Sequence, residues 1–488
     1  MRIFLLILVA VPLLLALALG VFVAVTWAPE RPVAELRERF APPPSVFVEA
    51  AGMQVHLRDE GPRDDPAPIV LLHGMGSSLH AWEGWAAALK HKRRVISFDL
   101  PGYGLTGPSP DRIYGRERDM AFVIAVLDKL GVGRAVLGDR PLVAETPEHL
   151  LDDDITPTAK FFIRNNGQIP DSTKEPDKWK LAVDGEVNSK LELSLGELKQ
   201  KFKPVTRRLV LECGGNGRSF FVPQARGNQW TNGGVGCAEW TGVKLSDVLK
   251  AAGVKPSAVF TGHYGADPHL SGDANRQALS RGVPIKKAMD ENNLIAWAMN
   301  GQDLPAVHGF PLRLVIAGWP GSLSEKWLTR IWVRDKVHDG QGMGGTSYRV
   351  PVKPIVPGSN DDGKTFRELE SMPVRSIVTS PANGTKLGAG AKELKLRGVA
   401  WAGDHAVKEV AVSIDYGASW QRAKLDKPKN KYDWQRWTAT VKVPSDGYYE
   451  VWSRGTDARG VMQPHVAGNW NPQGYGANPM HRVAVLVG

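Results

Sequence analysis

At 488 residues the chain should hold about two or three domains, and 42% hydrophobic with 23% charged residues is ordinary globular composition. The 61 Lys+Arg against 51 Asp+Glu give a net charge of +10, which suits anionic substrates, an acidic protein partner or a membrane surface, but no Lys/Arg run is long enough for nucleic acid. There are two cysteines, Cys213 and Cys237, with no Cys-x-x-Cys or His-x-x-x-His spacing to help them form a zinc site; whether they pair as a disulfide is left open.

In chain order, Ile3 to Val25 is apolar, uncharged and long enough to span a bilayer. Arg2 precedes it, and Arg31, Arg37 and Arg39 follow it among Glu30, Glu35 and Glu38, so charge leaves the orientation open. No small-x-small cleavage site is evident, and residues 1–27 are therefore predicted to be a transmembrane or signal-anchor helix. Residues 28–45 read as a Pro-rich, charged linker.

From residue 46 the pattern changes. Val46-Phe47-Val48 and Met53 to Leu57 predict a hairpin, Ile69 to Leu72 a buried strand, Arg94 to Phe98 another, Met120 to Leu130 a helix, and Ala135-Val136-Leu137 a further strand. Strands alternating with helices imply a parallel sheet. With His73-Gly74-Met75-Gly76 and Asp99-Leu100-Pro101-Gly102-Tyr103-Gly104 after two of the strands, residues 46–138 resemble the first half of an α/β-hydrolase. The Gly-x-Ser-x-Gly elbow that the resemblance demands next is absent: the chain reads Asp139-Arg140-Pro141-Leu142, and no such motif occurs elsewhere. His73 and Ser77 remain, but without nucleophile, acid and base in position no hydrolysis is expected. A truncated sheet should also leave one edge unpaired. The change of character at Gly138/Asp139 reads as a fusion joint.

Residues 139–372 mix strands with short helices, which predicts an α+β domain. Strands are expected at Phe161 to Asn166, Trp179 to Val183, Leu191 to Leu195, Arg208 to Leu211 and Leu312 to Ile316, with helices from Leu195 and over Val243 to Ala252. Residues 373–488 contain strands only, separated by turns such as Asp415-Tyr416-Gly417, which predicts a β-sandwich.

One stretch carries the most chemistry. The strand ending at Leu211 runs into Glu212-Cys213-Gly214-Gly215-Asn216-Gly217-Arg218, a glycine turn that presents one soft sulfur beside a guanidinium. A lone cysteine is usually a small buried hydrophobe. Here it stands in an ordered series with Phe162-Ile163-Arg164-Asn165, Gly236-Cys237-Ala238-Glu239-Trp240, Met299-Asn300-Gly301, His308-Gly309-Phe310-Pro311-Leu312-Arg313, Lys326-Trp327-Leu328, Trp470-Asn471-Pro472 and His481-Arg482-Val483. In this order the motifs resemble the sulfite oxidase family, most closely its bacterial sulfite dehydrogenases, from about Asp139 to the C-terminus.

The resemblance implies a molybdenum–molybdopterin cofactor with Cys213 as the thiolate ligand of the metal. It implies an anion pocket formed by Arg164 and Arg218 with Trp230 as its aromatic wall, and cofactor contacts from Phe162, Ile163, Arg164, Asn165, Asn166, His308, Arg313, Ser324, Glu325 and Lys326. It also implies oxidation of sulfite to sulfate, an immunoglobulin-like dimerisation domain in the C-terminal sandwich, and a homodimer. No Cys-x-x-Cys-His haem motif occurs, so the expected electron acceptor is a separate cytochrome c. Cys237 has no part in it and reads as a buried structural thiol. Three departures stand out: Trp297 where the family commonly has tyrosine, Asn166 where many members have histidine, and Gln473 where animal members have arginine. Trp297 is thereby placed among the catalytic residues, its indole unable to titrate as a phenol does. Bacterial members of the family usually leave the cytoplasm by a twin-arginine signal, and no twin arginine precedes the apolar stretch here; the expectation is a periplasmic enzyme anchored to the inner membrane. Another oxyanion or an S-oxide is the alternative substrate.

Overall fold

The computed structural model describes residues 31–359 and 365–488 except 64, 66, 67, 133, 134 and 140, together with residues 17, 19–23, 25 and 26. The span read over Ile3 to Val25 lies largely outside them; among the described residues no helix is long and apolar enough to cross a membrane. The chain divides into two compact units, Met1–Gly131 and Val132–Gly488.

The first unit is a four-stranded sheet in the order Val46–Ala50, Met53–Glu60, Val95–Phe98, Ile69–Leu72. The first two strands form the predicted hairpin, turning at Ala51 and Gly52, both with positive φ. Val95–Phe98 and Ile69–Leu72 run parallel, as expected. Val95–Phe98 is wholly buried, whereas Ile69–Leu72, predicted as buried, is half-buried with Leu72 39% exposed. The reason is position: it is the outer strand, with nothing paired beyond it among the described residues. Asp99 ties the loops together, its carboxylate accepting from His56 Nδ1 (2.8 Å), Leu79 N (2.7 Å) and Leu105 N (2.8 Å). Burial opposes this charge, but the His56 bond and the two amides outweigh it and hold the carboxyl below its usual range.

The second unit begins with a correction. The strand starting at Ala135, read as a further strand of the hydrolase-like parallel sheet, spans Ala135–Asp139 and turns back antiparallel on Leu142–Glu145, which pairs in turn with Ile163–Arg164. Two residues of connection permit a hairpin, whereas a parallel partner would need a crossover of a dozen or more. Two five-stranded sheets follow. In one, Val205–Glu212, Val235–Lys244 and Leu294–Met299 lie side by side, and Leu294–Met299 also pairs with Gln302–Asp303 and Arg313–Val315. The other runs Gly282–Pro284, Phe260–Gly265, Leu328–Arg334, Lys180–Gly185, Leu191–Ser194. The main core, including Leu181, Leu249, Ile295, Leu314 and Ile331, draws on both sheets.

Helix Leu195–Lys201 starts on a capping box of Ser194 and Glu197. The helix expected from Val243 starts at Leu245, because Val243 and Lys244 still pair with Ile295 and Leu294. The C-terminal strands form the predicted sandwich. One sheet runs Arg375–Ser380, Glu393–Trp401, Gln435–Lys442, Lys424–Leu425; the other runs Thr385–Leu387, His481–Val487, Gly447–Asp457, Val407–Ser413, Gln421–Arg422. Val378, Leu396 and Trp437 from the first meet Val410, Val451 and Val485 from the second in one core.

Candidate active site

The strand Val205–Glu212 delivers Cys213 into a tight loop. Cys213 N donates to Gly234 O (2.8 Å), Asn216 N to Cys213 O (2.9 Å) and Arg218 N to Gly215 O (3.0 Å). A Cβ at Gly215 would lie 2.4 Å from Arg218 Nη2 and would displace the guanidinium from its present place. The loop is anchored from below by Glu212, whose carboxylate accepts from Arg375 Nε (2.9 Å), Trp401 Nε1 (2.7 Å) and Asn216 Nδ2 (3.0 Å), all buried. No disulfide joins Cys213 to Cys237. Cys237 donates to Asp433 Oδ1 (3.3 Å), and burial together with that carboxylate pushes its thiol up, as befits a structural cysteine.

Cys213 borders an open cleft. Phe162, Arg164, Asn165, Asn166, His308, Arg313, Ser324, Glu325 and Lys326 line it with Cys213, so ten of the residues singled out from the sequence meet in one place. Burial raises the Cys213 thiol, opposed by the charges of Arg164 and Arg218. Such a thiol holds its proton until a soft metal displaces it. Arg218 stands beside the cleft rather than on its wall, fixed by Nε to Gln473 O and Nη1 to Asn228 O, both 2.8 Å. Trp230 is wholly buried behind Phe162, edge-on at 6.1 Å, and so supports the wall without forming it. Ile163 likewise packs into a small core with Ala144 and Val307.

Trp297 is not brought to the cleft. It packs against the core built on Leu181 and Ile295, because its strand lies in the middle of the sheet and its side chain faces that core. A phenol does line the cleft, that of Tyr348, whose hydroxyl donates to Asn166 Oδ1 (3.4 Å). Tyr348, Tyr475, Arg281 and Asp267 were missed in the sequence. Only Tyr475 had a signal nearby, two residues beyond the singled-out Gln473.

Alongside apolar Phe161, Leu211, Leu279 and Trp327, the lining carries a set of ionisable side chains shielded from water. Lys326 Nζ donates to Asn165 Oδ1 (2.6 Å) and Val307 O (2.7 Å), and Arg313 Nη1 to His308 O (3.0 Å). Burial, reinforced by Arg313, drives Lys326 well below its ordinary value, and burial brings Arg313 down to about 9. Burial raises Asp267 to about 6 and Glu325 well above the carboxylate range. Cations depressed in this way are short of counter-charge, and a buried anion would restore them. Among the described residues Asn165 Nδ2 and Glu325 Oε2 are buried with no hydrogen-bond partner. A soft sulfur, a depressed Lys–Arg pair and unsatisfied donors and acceptors in one cleft suit a metal carried by a polar, phosphate-bearing organic group, and molybdopterin fits this description.

Fold and cleft together define a molybdopterin-binding oxidoreductase. Residues 166–341 match the oxidoreductase molybdopterin binding domain and residues 367–488 the Mo-co oxidoreductase dimerisation domain, while residues 67–139 match the alpha/beta hydrolase fold. The mitochondrial sulfite oxidase of Homo sapiens is 34% identical over 371 residues, covering 72% of this chain and 65% of the human protein. The sulfite oxidase of Gallus gallus is 33% identical over 361 residues, covering 72% of this chain and 77% of the chicken protein. The crystal structure of the sulfane dehydrogenase SoxCD from Paracoccus pantotrophus superposes with a TM-score of 0.61 at 27% identity, over 73% of this chain and 88% of that one. The chain thus belongs to the sulfite oxidase family, spanning just under two thirds of the mammalian relatives it matches, and its cofactor is molybdenum–molybdopterin.

Proposed function

We propose that this protein oxidises sulfite to sulfate and passes the electrons to a separate acceptor, a cytochrome c. The observation that carries this reading is the placement of Cys213 on the wall of one cleft together with Arg164, His308, Arg313 and Lys326. When bound, the molybdenum cofactor supplies oxygen-atom transfer to sulfur and accepts two electrons. Cys213 would hold the metal; His308, Arg313, Ser324 and Lys326 would hold the pterin and its phosphate. Arg164 on the cleft wall binds sulfite oxygens by charge-assisted hydrogen bonds, and Arg218, fixed beside the cleft, adds positive charge to the pocket. The Tyr348 hydroxyl, which donates to Asn166 Oδ1 (3.4 Å), is placed to donate a hydrogen bond to an oxygen of the bound anion.

A second reading, oxidation of another sulfur anion, is favoured by two missing charges: Asn166 stands for histidine and Gln473 for arginine. The sulfane dehydrogenase SoxCD is a neighbour of this kind. The C-terminal sandwich is proposed as an immunoglobulin-like dimerisation domain that makes a homodimer, and the N-terminal apolar stretch as an inner-membrane anchor on the periplasmic side. Protein expressed in a host that makes the cofactor should carry about one molybdenum per chain, as a single thiolate ligand implies. It should reduce ferricyanide or cytochrome c on addition of sulfite, and Cys213→Ser should lose both metal and turnover. Metal-replete protein that ignores sulfite but turns over thiosulfate or a protein-bound sulfane would select the second reading. Protein without metal would reject both.

A further inference from the structure

We propose that Tyr475, on a loop of the C-terminal domain, is the positioning residue of the anion pocket: its ring fixes the Arg218 guanidinium and the Tyr348 phenol together, and so sets how tightly the pocket holds an oxyanion. The substrate named in the test rests on the sulfite reading; the geometry does not. The Tyr475 ring is stacked on Tyr348, with centroids 4.7 Å apart and planes at 25°. Arg218 Cζ lies 5.2 Å from the centroid of Tyr475, and Arg281 Cζ 4.5 Å from that of Tyr348. Guanidinium, phenol, phenol and guanidinium thus form one run, and its Tyr348 member lines the cleft. Stacked rings and cations over ring faces each gain most where water is excluded. Burial raises Tyr475, and the charges of Arg218 and Arg164 and the Cys213 sulfur all bear on it, which puts it within electrostatic reach of the whole pocket.

The loop is built to hold that ring still. Asn471, wholly buried, accepts from Tyr475 N (3.0 Å) and donates Nδ2–H to Tyr475 O (2.8 Å). Gly476 N donates to Gly214 O (2.9 Å), which ties the loop directly to the residue after Cys213. At Gly474, with φ at +65°, a Cβ would lie 2.5 Å from Arg218 Cγ, so the loop closes over Arg218 only because glycine stands there. Two restraints on Arg218, the Gln473 carbonyl and the Tyr475 ring, therefore come from this one loop. The missing arginine at position 473 is answered by an aromatic ring that steadies the arginines already present.

The test compares the full-length protein with Tyr475→Phe, which keeps the ring, and Tyr475→Leu, which removes it. Tyr475→Leu should raise the sulfite KM about tenfold, the size of one stacking or cation–π contact, with kcat within about threefold. It should weaken sulfate binding to the molybdenum-free protein, read by calorimetry, by a similar factor. Tyr475→Phe should stay within about twofold of the parent in both readouts, since the hydroxyl takes no part in the stack. If Tyr475→Leu fails to fold, Tyr475→Met, closer in volume and without a ring, makes the same comparison. Unchanged sulfate binding in the ring-less variant would overturn the proposal, as would a loss in Tyr475→Phe equal to that in Tyr475→Leu. A parent protein that binds sulfate but does not oxidise sulfite would reject the proposed function alone, and the sulfate arm would still decide the role of Tyr475.

Discussion

Glu145 sits at 6% exposure, where burial and the neighbouring Glu148 carboxylate push its carboxyl up to about 7 against the amide of Thr231 (2.8 Å). Its folded value lies above the ordinary 4.5, so the native state binds the proton more tightly than the unfolded chain does. The stability this contributes is fully present below about 4.5 and is lost as pH rises through about 7. Glu145→Gln keeps an acceptor for Thr231 N–H and removes the titration. Relative to Glu145→Gln, the parent should lose on the order of 2–3 kcal/mol between pH 5 and pH 8 in denaturant unfolding. A parallel pair of pH–stability curves would refute this. Because Thr231 follows Trp230 and its carbonyl accepts from Gly217 N, the same pH step bears on the support of the cysteine loop.

At the scale of elements, Arg375 joins the first sandwich strand to the end of the strand that carries Cys213. Its guanidinium is fully buried and meets Glu212 (2.9 Å), Asn232 Oδ1 (3.1 Å) and Asn216 O (3.1 Å). Arg375→Ala would strand the Glu212 carboxylate in the interior, and a loss of about 3–5 kcal/mol in urea unfolding is expected, together with lower molybdenum content. The double variant Arg375→Met/Glu212→Leu should recover part of the stability, because no charge is then left uncompensated. If the double variant is as unstable as the sum of the singles, the pair is not coupled.

This junction also marks the limit of what was legible in the sequence. The strands of both domains and the Cys213 loop could be read from apolar runs, turn glycines and motif order, because these are local signals. Arg164, Arg218, His308 and Lys326 came with their motifs. Tyr348, Tyr475 and Arg281 did not: they lie in segments more than sixty residues apart and acquire meaning only when Gly476 docks on Gly214 and brings the two rings face to face. Trp297 failed for the opposite reason. Its position in the motif order was plausible, but strand alternation turns its side chain away from the cleft and into the core, a matter of one residue in phase.

At the scale of the molecule, every lining residue of the cleft, from Phe161 to Tyr348, and every support named for it lies in the unit Val132–Gly488. That unit has its own cores in the mixed domain and in the sandwich, and buried side chains such as Trp230, Trp240, Trp434 and Trp437 belong to it. The unit Met1–Gly131 is a different physical object. Its sheet ends on Ile69–Leu72, half-exposed and parallel to its single partner, where a complete α/β-hydrolase would continue. Short sheets with a bare edge bury too little apolar surface to stand well alone and invite edge-to-edge association. Residues 132–488 expressed alone should therefore fold, take up molybdenum to the level of the whole chain and keep the sulfite KM within about twofold, since every lining residue of the cleft is retained. Residues 31–131 expressed alone should self-associate, and a lysine on the open edge, as in Leu72→Lys, should reduce that association in sedimentation velocity. If residues 132–488 take up no metal, the first unit serves the second as more than a passenger, and the site's independence as drawn from its lining would be wrong.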